Sequence, residues 1–125
     1  MIEGTGIDIV QVHRMEKWIK TPSLLERFFH EDELSVFLER GKGAARFFAA
    51  RFAAKEAFVK ALGTGFAGIA LKDISVKNMD NGRPVMQVYG TALAAMNQTR
   101  AACIHLSLSH EKDNAIAMVI LESRP

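Results

Sequence analysis

An α+β fold is the class this sequence predicts, and three observations predict it. A helical segment that is apolar almost all round fills the middle of the chain, strand-like patterns stand at both ends, and a turn cluster separates two short strand-like runs between them. The 125 residues read as one domain, 1–125, large enough to bury an ordinary core. Hydrophobic residues at 49% and charged residues at 24% place the chain among globular rather than disordered proteins. Sixteen Lys plus Arg against fourteen Asp plus Glu leave a net charge of +2, too balanced to argue for nucleic acid. The single cysteine, Cys103, excludes an intramolecular disulfide and suits a reducing compartment; in its apolar run it reads as a buried structural thiol. Glu3 and Asp8 near the start, with no long apolar run, exclude a signal peptide. No apolar segment approaches the roughly 20 residues that span a bilayer, so the cytoplasm is the expected location. Met1 opening directly into the first strand and Pro125 just after the last lead to the expectation of a free-standing protein.

From Ile2 to Val12 the chain reads as a strand, with Ile7 and Ile9 on one face and Asp8 on the other. Gly4 and Gly6 mark a place where another backbone comes close. The pattern turns helical from Val12 to Lys20, with Met15, Trp18 and Ile19 apolar and Arg14, Lys17 and Lys20 forming a basic flank. Thr21-Pro22-Ser23 punctuates, and Ser23 is placed to cap a short helix through Phe29. Asp32 opens another that ends near Gly41. The principal helix runs from Ala44 to Leu62 and stops at Gly63. Asp73 to Met79 and Val85 to Tyr89 are strands joined through Asp80-Asn81-Gly82-Arg83-Pro84, a hairpin turn. Thr91 to Thr99 is a short alanine-rich helix. Ala102 to His110 alternates, with Ile104, Leu106, Leu108 and His110 on one face and His105, Ser107 and Ser109 on the other. Glu111-Lys112-Asp113-Asn114 turns the chain into a last apolar strand, Ala115 to Leu121.

The principal helix carries the residues with chemistry. At about 100° per residue, Glu56 and Lys60 share a face with Phe52 and Val59, while Phe47, Ala54, Phe58, Ala61 and Leu62 lie opposite. A carboxylate on a helix with two apolar sides is costly unless paired or holding a cation. The plainer alternative is an i,i+4 salt bridge between Glu56 and Lys60. Asp8, mid-strand between Ile7 and Ile9, poses the same problem from a separate element, and His110 ends an apolar strand with Glu111 behind it. Two carboxylates from separate elements, with room for water and phosphate oxygens, are the usual way to hold Mg²⁺. Lys60, one turn from Glu56, adds a point charge for a phosphate. Gly63 and Gly65 either allow close backbone approach or merely end the helix. Spacing alone leaves a metal–phosphate site and buried ion pairs both open. His105 reads as structural or surface, His13 and His30 have no partner, and Trp18 and Tyr89 read as packing residues.

Three ordered motifs carry a resemblance. Gly6-Ile7-Asp8-Ile9, the run Arg51-Phe52-Ala53-Ala54-Lys55-Glu56-Ala57 with Lys60-Ala61-Leu62-Gly63-Thr64-Gly65, and Leu106-Ser107-Leu108-Ser109-His110 closely resemble the holo-[acyl-carrier-protein] synthases. These are short-chain members of the 4′-phosphopantetheinyl transferase superfamily. The segment Phe28-Phe29-His30-Glu31-Asp32-Glu33-Leu34 and the turn Asn81-Gly82-Arg83-Pro84 also look like family features. The resemblance implies the family's fold, a long central helix packed on a small, largely antiparallel sheet. It implies transfer of the 4′-phosphopantetheine arm of coenzyme A to a serine of an apo acyl carrier protein, with release of 3′,5′-ADP, in support of fatty acid biosynthesis. It further implies Asp8 and Glu56 as Mg²⁺ ligands and Lys60 as the lysine near the coenzyme phosphates. Arg51, Gly63, Gly65, Gly82, Arg83, Pro84 and His110 match positions at the coenzyme or its cleft. The serine proton has three candidate acceptors: His110, Glu111, or water on the Mg²⁺, with water assisted by Glu111 slightly preferred. Glu111 completing the metal shell is the other role open to it.

Arg51 lies about 140° around the helix from Glu56, so the two cannot face one pocket within a single subunit. The resemblance implies a homotrimer with three interfacial sites, and Phe47, Phe48, Phe52 and Phe58 offer apolar surface for core and contact alike. Because carrier proteins are acidic, Arg14, Lys17, Lys20 and Arg27 form a complementary basic edge, with Met15 available for apolar contact. Arg14 matches a carrier-contacting arginine of the family. Two competing readings are a metal-dependent nucleotide or pyrophosphate hydrolase using Asp8, Glu56 and Lys60, and a non-catalytic trimeric binding module. The basic first helix argues against the hydrolase, and the intact acidic pair and lysine argue against the module.

Overall fold

The computed structural model describes residues 1–40, 43–65 and 68–125. In chain order the elements are β1 (Ile2–Gln11), α1 (Arg14–Ile19), α2 (Pro22–Phe28), α3 (Glu31–Arg40) and α4 (Ala44–Leu62). A single 3-10 turn, Leu71–Asp73, then leads to β2 (Ile74–Asn78), β3 (Pro84–Val88), α5 (Gly90–Asn97), β4 (Ala101–His110) and β5 (Asn114–Ser123). The α+β class holds. Strands β1, β5 and β4 form one antiparallel sheet in that order, and β2 and β3 form a hairpin of their own.

The last strand lies in the middle of the sheet because it is the most regularly apolar. Its inward residues Ala115, Ala117, Val119 and Leu121 are all buried. The first strand pairs along it, Ile2 opposite Glu122 and Asp8 opposite Ala117, and Ser123 N–H donates to the Met1 carbonyl at 2.9 Å. The 19-residue α4 packs on the inner face of β1 and β5. The close approach expected at Gly4 and Gly6 is present: a Cβ on Gly6 would run into the carbonyl of Ala57, and one on Gly4 into that of Ala61. Ala57 and Ala61 are one helical turn apart, so the small side of the helix lies directly on the two glycines.

Local punctuation follows the chemistry of the turn residues. Helix α4 ends at Gly63 in the left-handed region (φ 76°), whose N–H donates to the Lys60 carbonyl at 3.1 Å. Gly82 (φ 85°) closes the β2–β3 turn. Helix α2 begins one residue before the expected cap. Pro22 occupies the first turn with Thr21 ahead of it, so Ser23 lies inside the helix, and the Thr21 hydroxyl donates back to the Lys17 carbonyl at 3.1 Å.

Three expectations are corrected. Cys103 is exposed, because it shares the outward face of edge strand β4 with His105, Ser107 and Ser109. Met15 is 0% exposed: short as it is, α1 turns that side chain into the core, so it is not available for an apolar docking contact. Phe47, Phe48, Phe52 and Phe58 are all buried within their own chain and present no contact surface. Outward-facing large apolar side chains include Leu38 on α3 and Leu93 on α5, and a group on the sheet, where Ile7 is 62% and Ile9 58% exposed beside Ile116 and Met118. Trp18 packs as expected, its ring 5.1 Å from Phe28 and 5.0 Å from Phe52. Among the described residues no helix is long and apolar enough to cross a membrane.

Candidate active site

With Ile7 and Ile9 outward, the alternation of β1 turns Asp8 inward toward α4, where it meets Glu56 and Lys60. Lys60 does not bridge to Glu56 one turn away. Its Nζ donates to Asp8 Oδ1 at 2.8 Å and to the Ile7 carbonyl at 3.1 Å. Burial, then the negative charge of Asp8 and a hydrogen bond with it, push the Glu56 carboxyl up to about 7; Arg14 and Lys60 pull the other way. Two crowded carboxylates, one of which resists ionisation, are the donors a hard divalent cation takes up, so the residues present fit Mg²⁺. Among the described residues no cluster of three or more His, Cys, Asp or Glu side chains that could hold a metal exists, and the donors brought together here are these two carboxylates.

A pH dependence follows from the raised Glu56. The folded chain keeps a proton between 4.5, the ordinary value, and about 7 that the unfolded chain has lost. Stability of the cation-free protein therefore falls as pH rises through that window, by ~1 kcal/mol, since Glu56 is only half-buried and water screens it. The stabilisation by added Mg²⁺ should widen over the same range, because the cation takes the ionised form. Thermal unfolding with Mg²⁺ and with EDTA between pH 5.5 and 8 reads this; a gap that does not change with pH contradicts it.

A second group of the expected residues lies elsewhere. A cavity of about 630 Å³ opens between the first half of α4, the tip of the β2–β3 hairpin and the end of β4. Arg51, Gly82, Arg83, Pro84 and His110 line it, and so does Arg46. Leu106 and Leu108 add apolar wall, and the Arg51 guanidinium sits 4.0 Å from the centre of the Phe47 ring. Three guanidiniums around a partly apolar hollow suit a ligand with phosphates and a flat ring. Asp8, Glu56 and Lys60 are not among its lining residues, as the angle between Glu56 and Arg51 requires. Gly63 and Gly65 lie past the end of α4, both with positive φ and with no described residue within 4 Å of where a Cβ would stand, and are not among its described lining residues. Glu111 sits in the β4–β5 turn, where Asn114 Nδ2 donates to it at 2.7 Å. Arg14, Lys17, Lys20 and Arg27 are all exposed on α1, α2 and the link between them. His105 pairs with Glu122 at 2.9 Å on the outer sheet face, and His30 stacks on Tyr89 at 5.1 Å.

Sequence reasoning missed Arg46, whose only signal was its place in the first turn of the long helix. It also missed the residue next to Glu56. Lys55 is 0% exposed and forms a buried ion pair with Glu33 from α3. Burial pushes the Lys55 ammonium below the usual lysine range, while Glu33 holds it up. Nothing in the spacing pairs two residues 22 positions apart.

Comparison with known proteins gives consistent results. The model of the family described as the 4′-phosphopantetheinyl transferase superfamily matches residues 4–119. A holo-[acyl-carrier-protein] synthase from Treponema denticola is 58% identical over 122 residues, covering 98% of this chain and 99% of that protein. One from Treponema pallidum (strain Nichols) is 46% identical over 125 residues, covering 100% and 99%. The crystal structure of a holo-(acyl-carrier-protein) synthase from Bacillus anthracis in complex with CoA (3′,5′-ADP) superposes with a TM-score of 0.83 at 39% identity, covering 99% of both chains. That of holo-ACP-synthase from Plasmodium yoelii superposes with a TM-score of 0.88 at 30% identity, covering 100% of this chain and 98% of that one.

Proposed function

Since this chain belongs to the 4′-phosphopantetheinyl transferase superfamily, we propose that it moves the 4′-phosphopantetheine arm of coenzyme A onto a serine of an apo acyl carrier protein and releases 3′,5′-ADP. The observation that carries this reading is the Asp8–Glu56 pair beside Lys60, held apart from a cationic cavity of nucleotide size. The reading takes residues 1–125 as one transferase domain working in the cytoplasm and in fatty acid biosynthesis.

Each part has a task the residues suit. Asp8 and Glu56 hold Mg²⁺, which when bound supplies charge stabilisation to the phosphoryl oxygens. Lys60 offers an ammonium to the same phosphates. Arg51 and Arg83, with Gly82 and Pro84 shaping the wall, hold the nucleotide end of the coenzyme. His110, which lines the cavity, and Glu111, in the adjoining turn, are the two side chains that can serve the serine proton, with Glu111 assisting water slightly preferred. No covalent enzyme intermediate is needed, so the lack of a nucleophile near the pair is no obstacle. The carboxylate pair and the cavity face different ways, so one site is completed by two chains, and we propose a homotrimer. The outward apolar stripe of Ile7, Ile9, Ile116 and Met118 supports that assembly.

Intact-mass analysis of an apo acyl carrier protein incubated with this protein, coenzyme A and Mg²⁺ is the deciding experiment. A gain of one phosphopantetheine mass, abolished by EDTA, is the expected result. Degraded coenzyme A with an unmodified carrier would mean a hydrolase, and no change in either a binding module.

Arg14, Lys17, Lys20 and Arg27 form the edge that meets the acidic carrier. Arg14→Glu should raise the KM for carrier about tenfold by reversing charge at a rim position, with a smaller change for coenzyme A. Steady-state titration of each substrate checks this, and equal losses for both would remove Arg14 from the docking edge.

A further inference from the structure

The β2–β3 hairpin, whose turn brings Gly82 and Arg83 to the cavity, is hydrogen-bonded as a sheet of its own. Strand β2 therefore has an edge that its partner β3 does not cover. On that edge the Ile74 carbonyl accepts from Lys55 Nζ at 2.7 Å, and the Val76 N–H donates to Glu33 Oε2 at 3.1 Å. Two side chains thus stand where a neighbouring strand would stand.

The same two side chains reach three more segments. Lys55 Nζ donates to the Phe28 carbonyl at the end of α2 and the Leu71 carbonyl of the 3-10 turn, each at 3.1 Å, and to Glu33 Oε1. That oxygen also accepts the His30 N–H at 2.9 Å, ahead of α3. Both side chains are fully buried, and the Phe29 ring lies 4.9 Å from the ammonium. An ion pair of this kind is weak evidence for stability, since two charges lose their water, and its better-attested use is to fix one arrangement.

We infer that Lys55 and Glu33 are positioning residues, whose buried pair sets the β2–β3 hairpin, and with it Arg83, against α4 so that the cavity fits coenzyme A. This rests on the transferase reading only for the identity of the ligand. Neither residue lines the cavity; both act through the hairpin. Lys55 also precedes Glu56, so the anchor of the hairpin and one member of the acidic pair sit on consecutive residues of one helix.

The test is coenzyme A binding by calorimetry, with KM and kcat measured alongside, on Glu33→Gln, Lys55→Met and a control, Leu121→Ala. Leu121 is a core residue that neither lines the cavity nor takes part in the pair's hydrogen bonds. Glu33→Gln keeps the shape and loses an acceptor, so it should fold and bind coenzyme A about tenfold more weakly, with carrier KM and kcat within about twofold of the parent. Lys55→Met should show the same split more strongly. The control should lower the melting temperature and leave coenzyme A affinity unchanged. Unchanged affinity in Glu33→Gln overturns the inference, and so does an equal loss in the control, which would make the effect one of general destabilisation. Parent protein that binds coenzyme A without modifying a carrier would overturn the transferase reading and leave the positioning role standing. Parent protein that does not bind coenzyme A would overturn both.

Discussion

Asp8→Ala and Glu56→Ala are each expected to lower Mg²⁺-dependent carrier modification by at least about a thousandfold while the fold stands. The loss is large because neither carboxylate has a substitute: no third ligating side chain joins them among the described residues. The fold survives because the pair is a source of repulsion in the cation-free chain, the Asp8 charge being one of the causes that raise Glu56. Removing Asp8 also frees Lys60, whose side chain is 55% exposed and returns to water, so the stability change should stay within about 1 kcal/mol. The mass assay across a Mg²⁺ titration, with a thermal melt of each variant, measures both halves. Near-normal transfer in either variant would remove that residue from the cation site.

Gly6→Ala is expected to destabilise the chain severely, although it adds a single methyl group. The new Cβ would lie inside contact distance of the Ala57 carbonyl and the Ala61 backbone nitrogen, and neither is a flexible side chain that can move aside. Strand and helix must separate, at a cost of about 3 kcal/mol or more, a large share of the ~5–15 kcal/mol that holds an ordinary domain together. Urea denaturation should show the midpoint falling steeply. Activity should fall further than stability alone explains, because Gly6 holds β1 where Asp8, two residues on, meets Glu56. A midpoint shift worth less than about 0.5 kcal/mol would mean the helix can slide off β1 at little cost.

The elements were legible where a residue's own chemistry announces them. Gly63 ends α4, Asn81-Gly82 makes a hairpin turn, and alternation in β4 and β5 is plain in the letters. What alternation cannot say is which face is covered. Ile7 and Ile9 were correctly set opposite Asp8, yet they face outward and Asp8 inward, and Cys103 is exposed by the same arithmetic. Helix α1 is six residues long, too short for periodicity to distinguish a buried Met15 from a docking one. The carboxylate pair was legible because an acidic residue on an apolar element is anomalous by itself. Lys55 stands on the same helix and was invisible, because its partners are one distant side chain and three carbonyls, and carbonyls carry no sequence signal. That Lys60 prefers Asp8 to Glu56 is likewise a tertiary choice, set by how close β1 lies to α4.

The pairing of the first strand with the last bears on how the molecule comes into being. Ile2 lies opposite Glu122 and Gln11 opposite Asn114, so the ladder joins segments separated by nearly the whole chain. As the polypeptide leaves the ribosome, α4 emerges with its phenylalanines uncovered and waits for the final strand before its sheet can close. Closing that ladder is slow for a unit of this size, since so long a loop has to close before its contacts are gained. Premature termination within β5 would leave β1 without the strand it pairs with, and the helix without much of the surface it packs on.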